Sequence, residues 1–207
     1  MLISPNVVSE YVKSPLSILH IGAHLGEDKK EYDNWGYTNV FYVEPNPELF
    51  PVLKQVVGEK NCLNMAVSDK VGSSPFHLVY SKDRTNKGCS SLLKPTEILD
   101  NPYLEFIKTI NVETITIDFI NEIYGPFNFL TMDIQGAELL ALQGGVQCLK
   151  NKQFEGIILE FTLTSLYESD CKSHELKSFL GKYGYKPVKM EFANEANTWG
   201  DILYVLH

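Results

Sequence analysis

The sequence lacks several features that would point to a membrane, a metal or a nucleic acid. Its apolar runs stay well short of the roughly twenty residues that a membrane span needs, and residues 1–14 lack the apolar core of a signal peptide. Its four cysteines include no C-x-x-C pair, and its histidines show no ligand spacing. Lys and Arg number 18 against 26 Asp and Glu, a formal charge of −8. We therefore expect no membrane span, no metal site, no nucleic-acid partner, and reduced thiols in the cytoplasm.

Length and patterning predict one α/β domain over residues 1–207. With 44% hydrophobic and 21% charged residues, the composition is that of an ordinary globular protein. Predicted strands and helices alternate through most of the chain, which requires a largely parallel sheet. The last two strands are joined without a helix and must be antiparallel to each other. We expect residues 1–14 to form a short helical cap over an edge of this sheet.

One stretch, residues 17–27, organises the N-terminal half of the chain. It reads Ser-Ile-Leu-His-Ile-Gly-Ala-His-Leu-Gly-Glu and predicts a strand, a tight glycine turn and a helix N-terminus. A second strand, residues 40–43, ends in a lone acid, Glu44. An acid at the tip of the second strand of a βαβ unit can accept both hydroxyls of a ribose. We therefore expect a nucleoside-bearing cofactor across the two strand tips.

The spacing of the glycines narrows the choice of cofactor. Gly22 and Gly26 are present, but His24 stands where a dinucleotide fingerprint needs its second glycine. The loop also lacks the ending of a P-loop. It suits a smaller anion, such as an amino-acid carboxylate held by backbone N–H groups and the helix dipole. A ribose clamp with a carboxylate cradle describes S-adenosylmethionine (SAM); an ordinary βα turn without a cofactor is the alternative.

Two further strand ends supply acids to the same edge. A predicted third strand, residues 63–67, is followed by Ser68 and Asp69. We expect Asp69 to accept from the adenine amine and a backbone N–H near Ser68 to face the ring. A strong buried strand ends at Met132, directly before Asp133. Because ligands collect at the carboxyl ends of parallel strands, Asp133 is expected to hold the cofactor ammonium or to face the methyl acceptor.

A long polar loop, residues 81–95, interrupts the alternation of strands and helices. Long loops over a site often carry function, so we predict that it lies on the substrate side. Its basic residues, Lys82, Arg84 and Lys87, favour an anionic acceptor or else only keep the loop solvated. The residues of this loop that we predict to bind substrate are Ser90, Ser91 and Lys87.

Several motifs together resemble one known family. They are Ile21-Gly22-Ala23-His24-Leu25-Gly26, Val43-Glu44-Pro45-Asn46-Pro47, Ala66-Val67-Ser68-Asp69, Ser90-Ser91-Leu92 and Met132-Asp133-Ile134-Gln135-Gly136-Ala137-Glu138. Over nearly its whole length the chain resembles the FkbM family of SAM-dependent methyltransferases. The resemblance implies a single-domain Rossmann-like class I methyltransferase fold, a mostly parallel seven-stranded sheet with a C-terminal antiparallel hairpin. It also implies O-methylation of a sugar, glycan or other small metabolite.

Two departures from the family pattern bear on catalysis. This chain has His20 where the family usually has an acid, and Gln135 where it usually has Glu. An O-methyltransferase needs a base for the acceptor proton, and the candidates are His24, Asp133 and Glu160. Gln135 cannot act as a base and is given a positioning role, while His20 is interpreted as a core histidine. The predicted cofactor-binding residues are Gly22, Ala23, His24, Gly26, Glu44, Pro45, Ser68, Asp69, Asp133 and Gln135.

Three alternatives to a sugar or metabolite O-methyltransferase stay open at this point. A catalytically degenerate SAM-binding protein is compatible with the two departures. A nicotinamide-dependent oxidoreductase has the same fold class, but His24 in place of glycine argues against it. Methylation of RNA ribose is similar chemistry, but the acidic charge balance disfavours it. The sequence leaves the acceptor and the oligomeric state open.

Overall fold

The computed structural model describes residues 2–13, 17–193 and 198–207. The centre of the predicted turn between the last two strands, 194–197, lies outside these residues. The strands are β1 (Ser17–Ile21), β2 (Asn39–Val43), β3 (Cys62–Leu63), β4 (Ala66–Val67), β5 (Gly72–Ser81), β6 (Leu104–Ile115), β7 (Phe129–Met132), β8 (Gly156–Thr162), β9 (Tyr185–Phe192) and β10 (Trp199–Leu206). The α-helices are α1 (Pro5–Tyr11), α2 (Lys29–Asn34), α3 (Phe50–Val57), α4 (Ile117–Tyr124), α5 (Glu138–Gln143), α6 (Val146–Lys150) and α7 (Ser173–Gly181).

A seven-stranded sheet carries the fold, in the order β3-β2-β1-β7-β8-β10-β9. The pairs from β3 to β8 are parallel, and β10 runs antiparallel to both β8 and β9. The predicted mostly parallel sheet with a C-terminal antiparallel hairpin is confirmed. The order reverses between β1 and β7, and ligands of open α/β sheets bind at the carboxyl edge of such a switch point.

Side chains alternate across the strands and feed a hydrophobic core on each face of the sheet. One core joins Leu19, Leu130 and Ile157 to buried residues of α4 to α7. The other joins Ile18 and Phe129 to buried residues of α1, α2 and α3. Helix α1, within the cap predicted for residues 1–14, therefore packs on a face of the sheet rather than along an edge.

A second, three-stranded sheet has the order β4-β6-β5. Strands β5 and β6 of this sheet pair antiparallel to each other. The prediction of one third strand over residues 63–67 is wrong, because β3 ends at Leu63 and Ala66–Val67 pairs parallel with β6 in the second sheet. The chain thus leaves the main sheet after Leu63, which moves the tip of the third strand several residues towards the N-terminus.

Candidate active site

A cavity of about 400 Å³ opens at the carboxyl edge of the main sheet, within the size range of small-molecule sites. It lies across the switch point between β1 and β7. Its walls come from the residues that follow β1, β2 and β7, from the ends of β8 and β10, and from the loop at residues 81–95. Residues far apart in sequence therefore share one site, as the predicted strand tips require.

The turn after β1 depends on Gly22. Its φ is +83°, and a Cβ at this position would lie 1.8 Å from the backbone oxygen of Asp133. Only glycine allows the tips of β1 and β7 to approach so closely. The backbone N–H of Asp133 donates to the oxygen of Ile21 at 3.0 Å, so the two tips are also joined by a hydrogen bond.

The N–H groups predicted to cradle a carboxylate are already used inside the protein. Those of Gly22 and Ala23 donate to the oxygen of Val43, at 2.9 and 3.1 Å, and that of Gly26 donates to the oxygen of Ala23. Gly26 lies outside the cavity lining, and a Cβ on it would meet Leu53 of α3 at 3.0 Å. Its role is the packing of the turn on α3. The six-residue α2 begins only at Lys29, so no helix N-terminus adjoins this turn.

Glu44 lies at the tip of β2, as predicted, and only 6% of it is exposed. One carboxylate oxygen accepts from the N–H of Asn46 at 2.8 Å, and the other accepts from the N–H of His24 at 2.9 Å. Burial raises the pKa of Glu44 to about 7. A carboxylate has about four acceptor positions, so two remain for the hydroxyl pair of a ribose. The adjoining Pro45 also lines the cavity.

His24 forms a close pair with Glu27. The distance from Nδ1 to Oε1 of Glu27 is 2.6 Å, and this hydrogen bond raises the pKa of the imidazole. Burial alone would raise the pKa of Glu27, but the hydrogen bond to His24 lowers it. The resulting pKa of Glu27 lies below the usual value. The Nε2 atom of His24 is buried and has no hydrogen-bond partner among the described residues. The ring lines the cavity.

Gln135 joins two carboxylates at the other end of the cavity. Its amide nitrogen donates to Oδ1 of Asp133 and to Oε2 of Glu160, both at 2.8 Å. Its amide oxygen lies 3.2 Å from the hydroxyl of Tyr167, which donates to it. Burial raises the pKa of Glu160 well above its ordinary value, and the charge of Asp133 adds to that effect. Gln135 thus bridges the two carboxylates, and its positioning role stays a prediction.

The structure does not bring every predicted residue to the cavity. Ser68 and Asp69 lie outside its lining, because β3 ends early and their segment belongs to the second sheet. The N–H of Ser68 donates to the oxygen of Ile115, and Asp69 is exposed. Ser91 is buried and donates to the backbone oxygen of Gln135 at 2.9 Å, so it anchors the loop. Adenine-binding by Ser68 and Asp69 and substrate binding by Ser91 therefore receive no support.

The loop at residues 81–95 does reach the cavity. Its lining residues there are Asn86, Lys87, Gly88, Ser90 and Leu92. Two of the basic residues that favoured an anionic acceptor have acidic partners, since Lys87 pairs with Glu48 at 2.9 Å and Arg84 pairs with Glu105 at 3.0 Å.

Sequence reasoning missed several residues of the site. Tyr167 lies in a segment without helix or strand, and nothing local signals its contact with Gln135. Glu27 follows His24 by three residues, and its position at an expected helix start gives no sign of its hydrogen bond to the imidazole. Asp201 lines the cavity because it pairs with Glu160 across β10 and β8, a register that the hairpin pattern alone does not specify.

Because β3 ends at Leu63, the residues that follow it also line the cavity. Met65, Ala66 and Val67 line the cavity in place of Ser68 and Asp69. His20 is buried, as predicted, with its Nδ1 3.1 Å from the hydroxyl of Tyr32, and it also lines the cavity.

Within the described ranges no group of three or more His, Cys, Asp or Glu side chains is arranged to hold a metal ion.

The family of this chain follows from comparison with known protein families. The sequence profile of the methyltransferase FkbM domain matches residues 20–187. The chain belongs to the FkbM methyltransferase family. Enzymes of this family depend on SAM. The alternative of a nicotinamide-dependent oxidoreductase is therefore set aside. No curated protein matches the chain.

Solved structures share the fold of this chain. The FkbM methyltransferase of Methylobacillus flagellatus KT has a TM-score of 0.64 at 15% identity over 95% of this chain, which spans only 45% of that protein. Magnesium protoporphyrin IX methyltransferase from Synechocystis PCC 6803, with bound SAM, has a TM-score of 0.52 at 10% identity, covering 97% of this chain and 74% of that one. A TehB-like SAM-dependent methyltransferase from Corynebacterium glutamicum has a TM-score of 0.50 at 9% identity, covering 98% and 86%.

The donor set of the cavity fits SAM. Glu44 offers acceptor positions for ribose hydroxyls beside the Gly22 turn, where an added side chain would collide with the backbone. Carboxylates at the far end suit a cationic group. Among the described residues, no helix has the length and apolarity required to cross a bilayer.

Proposed function

We propose that this FkbM methyltransferase transfers a methyl group from SAM to a hydroxyl of a sugar, glycan or other small metabolite. Glu44 would hold the ribose, and the apolar wall between β2 and the second sheet would hold the adenine. Leu49 and Phe76 of this wall are each 4% exposed, and Met65 and Ala66 adjoin them in the lining. Bound SAM supplies a methyl group that its sulfonium activates for displacement.

The observation that carries the proposal is the buried Nε2 atom of His24, which has no hydrogen-bond partner among the described residues. A hydroxyl acceptor must lose its proton, and a base within hydrogen-bond reach contributes about 10²–10⁴-fold. Glu27 holds Nδ1 of His24 at 2.6 Å, so a neutral ring presents the lone pair of Nε2 to the cavity. The acceptor proton moves to Nε2 as the oxygen–methyl bond forms and the methyl–sulfur bond breaks.

The other two candidate bases are less well placed for this role. Asp133 and Glu160 both accept hydrogen bonds from Gln135. Burial and the neighbouring charge of Asp133 also raise the pKa of Glu160 well above its ordinary value, which favours its protonated form. We therefore assign these two carboxylates to the binding of the acceptor rather than to proton abstraction.

A pH profile tests the role of His24. With labelled SAM and a panel of simple sugars and glycosides, methyl transfer to oxygen should fall by about 10²–10⁴-fold in His24→Gln and stay unchanged in His174→Gln, a matched exposed histidine. In Glu27→Gln the pKa of His24 should drop, because the hydrogen bond that raises it is lost. The acid limb of the rate profile and the NMR titration of His24 should then both move to lower pH.

Two outcomes would contradict the proposal. Equal transfer rates in wild type and His24→Gln would remove His24 as the base. SAM binding without transfer to any oxygen acceptor, with intact folding, would support a catalytically degenerate protein instead.

The remaining assignments are parts of the same proposal. Residues 1–207 would act as one domain with the loop at residues 81–95 on the substrate side, which its five cavity-lining residues support. The four cysteines are unpaired, which favours the reducing cytoplasm.

A further inference from the structure

A buried tyrosine lies behind the cavity wall, between Gln135 and the loop at residues 81–95. Tyr167 is 2% exposed. Its hydroxyl lies 2.7 Å from the backbone oxygen of Cys89 and 3.2 Å from the amide oxygen of Gln135. Burial raises the pKa of Tyr167, so the hydroxyl keeps its proton and acts as a donor. Because Tyr167 is outside the cavity lining, it acts on the site through the residues that it contacts.

The backbone around Tyr167 holds this hydroxyl in place. Tyr167 and Pro95 form an isolated antiparallel β-bridge. The N–H of Glu168 donates to the oxygen of Lys94 at 2.8 Å. The segment after β8 is thus joined to the end of the loop at residues 81–95, and the tyrosine side chain extends from a fixed backbone towards Gln135.

The amide of Gln135 is held in one orientation by three polar contacts. Its nitrogen donates to both Asp133 and Glu160, while its oxygen faces the hydroxyl of Tyr167. The opposite orientation would place the amide oxygen against the two carboxylates and remove their donors. The backbone of Gln135 is also left-handed, with φ +57°. A residue other than glycine keeps such a conformation only where its surroundings hold it.

Building on the proposed methyl transfer, in which Asp133 and Glu160 bind the acceptor, we propose that Tyr167 is a positioning residue for the acceptor site. Its hydroxyl directs the amide nitrogen of Gln135 to both carboxylates and thereby fixes their relative position. The oxygen of Cys89 shares the same hydroxyl proton in a three-centre bond. The placement of the carboxylates is therefore tied to the loop at residues 81–95.

The N–H groups of Gln135 oppose the other influences on this carboxylate pair. Burial raises the pKa of Glu160, and three neighbouring acids add to that effect, namely Asp133, Glu138 and Asp201. Donors to a carboxylate favour its ionised form. Loss of these donors should therefore strengthen the binding of a proton by the pair. Other titratable groups that face the pair or Tyr167 are the imidazoles of His20 and His24 and the thiol of Cys89.

An NMR titration tests this inference without turnover. Isotope-labelled side-chain carboxyl carbons of Asp133 and Glu160 are followed over pH in wild type, Tyr167→Phe and Tyr185→Phe. In Tyr167→Phe the proton affinity of the pair should rise about two- to tenfold, the effect of a weakened neutral hydrogen bond. Tyr185→Phe is the matched control and should leave the titration unchanged. Tyr185 is 1% exposed and donates to the oxygen of Phe154 at 2.7 Å, outside the cavity lining.

A double variant shows whether Tyr167 acts through Gln135. Gln135→Met should raise the proton affinity of the pair at least as much as Tyr167→Phe, because both N–H donors are lost. Adding Tyr167→Phe to Gln135→Met should change the titration no further. In kinetics with an oxygen acceptor from the sugar panel, Tyr167→Phe should raise KM for the acceptor about two- to tenfold and change kcat by less than about twofold.

Each outcome bears on one proposal separately. An unchanged titration in Tyr167→Phe, or equal changes in Tyr167→Phe and Tyr185→Phe, overturns the positioning role, and so do additive effects in the double variant. The expected change of titration in a protein that methylates no oxygen acceptor would support the positioning of the carboxylate pair and contradict the proposed methyl transfer.

Discussion

At the scale of single residues, function and stability conflict at Glu44. Its carboxylate is buried between two backbone N–H donors, and burial raises its pKa to about 7. The folded chain therefore favours the protonated form relative to the unfolded chain. This contribution to stability is full below the unfolded pKa near 4.5 and is lost as the pH rises through about 7.

Glu44→Gln should remove this pH dependence. The amide cannot ionise, so the free energy of unfolding of the variant relative to wild type should rise by about 2–3 kcal/mol between pH 5 and pH 8. Chemical denaturation of the SAM-free protein at the two pH values measures the change. A constant difference between the two proteins would show that Glu44 is not held in the buried state described here.

Sequence reasoning predicted several residues that line the cavity, but not the contacts between them. Glu44, His24, Asp133, Glu160 and Gln135 could be predicted because each lies at a strand tip or in the turn beside one. The hydrogen bonds between them could not, nor could the contacts of Glu27 and Tyr167, because they depend on the folded turn and on loops distant in sequence. The predicted carboxylate-binding turn could not be checked from the sequence for the same reason. Its N–H groups donate to Val43 and Glu44 across the strand tips and are not free for a ligand.

At the scale of elements, the turn after β1 determines how closely β1 and β7 approach. Gly22→Ala should destabilise the protein far more than Gly36→Ala, the matched control. Both glycines have φ near +80°, but a Cβ at Gly36 would meet nothing within 4 Å, whereas one at Gly22 would strike the oxygen of Asp133. Gly36→Ala should cost about 1–2 kcal/mol from the left-handed backbone alone. Equal losses in denaturant unfolding would contradict the close approach.

The loop over the cavity is a second element with a specific attachment. Lys87 pairs with Glu48, four residues after Glu44, and its Nζ lies 5.1 Å from the ring centre of Tyr80. Such partly exposed pairs contribute about 0.2–1 kcal/mol. Lys87→Met and Glu48→Gln should therefore each speed the dissociation of S-adenosylhomocysteine up to about fivefold in stopped-flow measurements. The double variant should match the single ones, and additive effects would show that the pair does not hold the loop.

The division of the third strand shows where element prediction stops. Residues 63–67 have the apolar composition of one short strand, and composition cannot distinguish that from two two-residue strands in different sheets. The separation depends on tertiary pairing with β6 and on Asn64, whose side chain donates to the backbone oxygen of Glu44 at 2.7 Å. The prediction of Ser68 and Asp69 as adenine-binding residues depended on the undivided strand.

At the scale of the whole molecule, the alternation of strands and helices was enough to predict the sheet. Parallel strands require crossovers and a final hairpin requires antiparallel pairing, so few topologies remain. The alternation of strands and helices does not predict the register of β10 against β8. This register places Asp201 beside Glu160 at one end of the cavity, and the pattern of the hairpin alone does not specify it.

The most direct test of the account is a calorimetric titration of SAM into wild type, Glu44→Gln and the exposed control Glu59→Gln. The account predicts that wild type and the control bind alike. Loss of charge-assisted hydrogen bonds to the ribose should weaken binding to Glu44→Gln by roughly 2–3 kcal/mol, about 30- to 150-fold. Unchanged affinity in a folded Glu44→Gln protein would contradict the placement of the cofactor across the tips of β1 and β2.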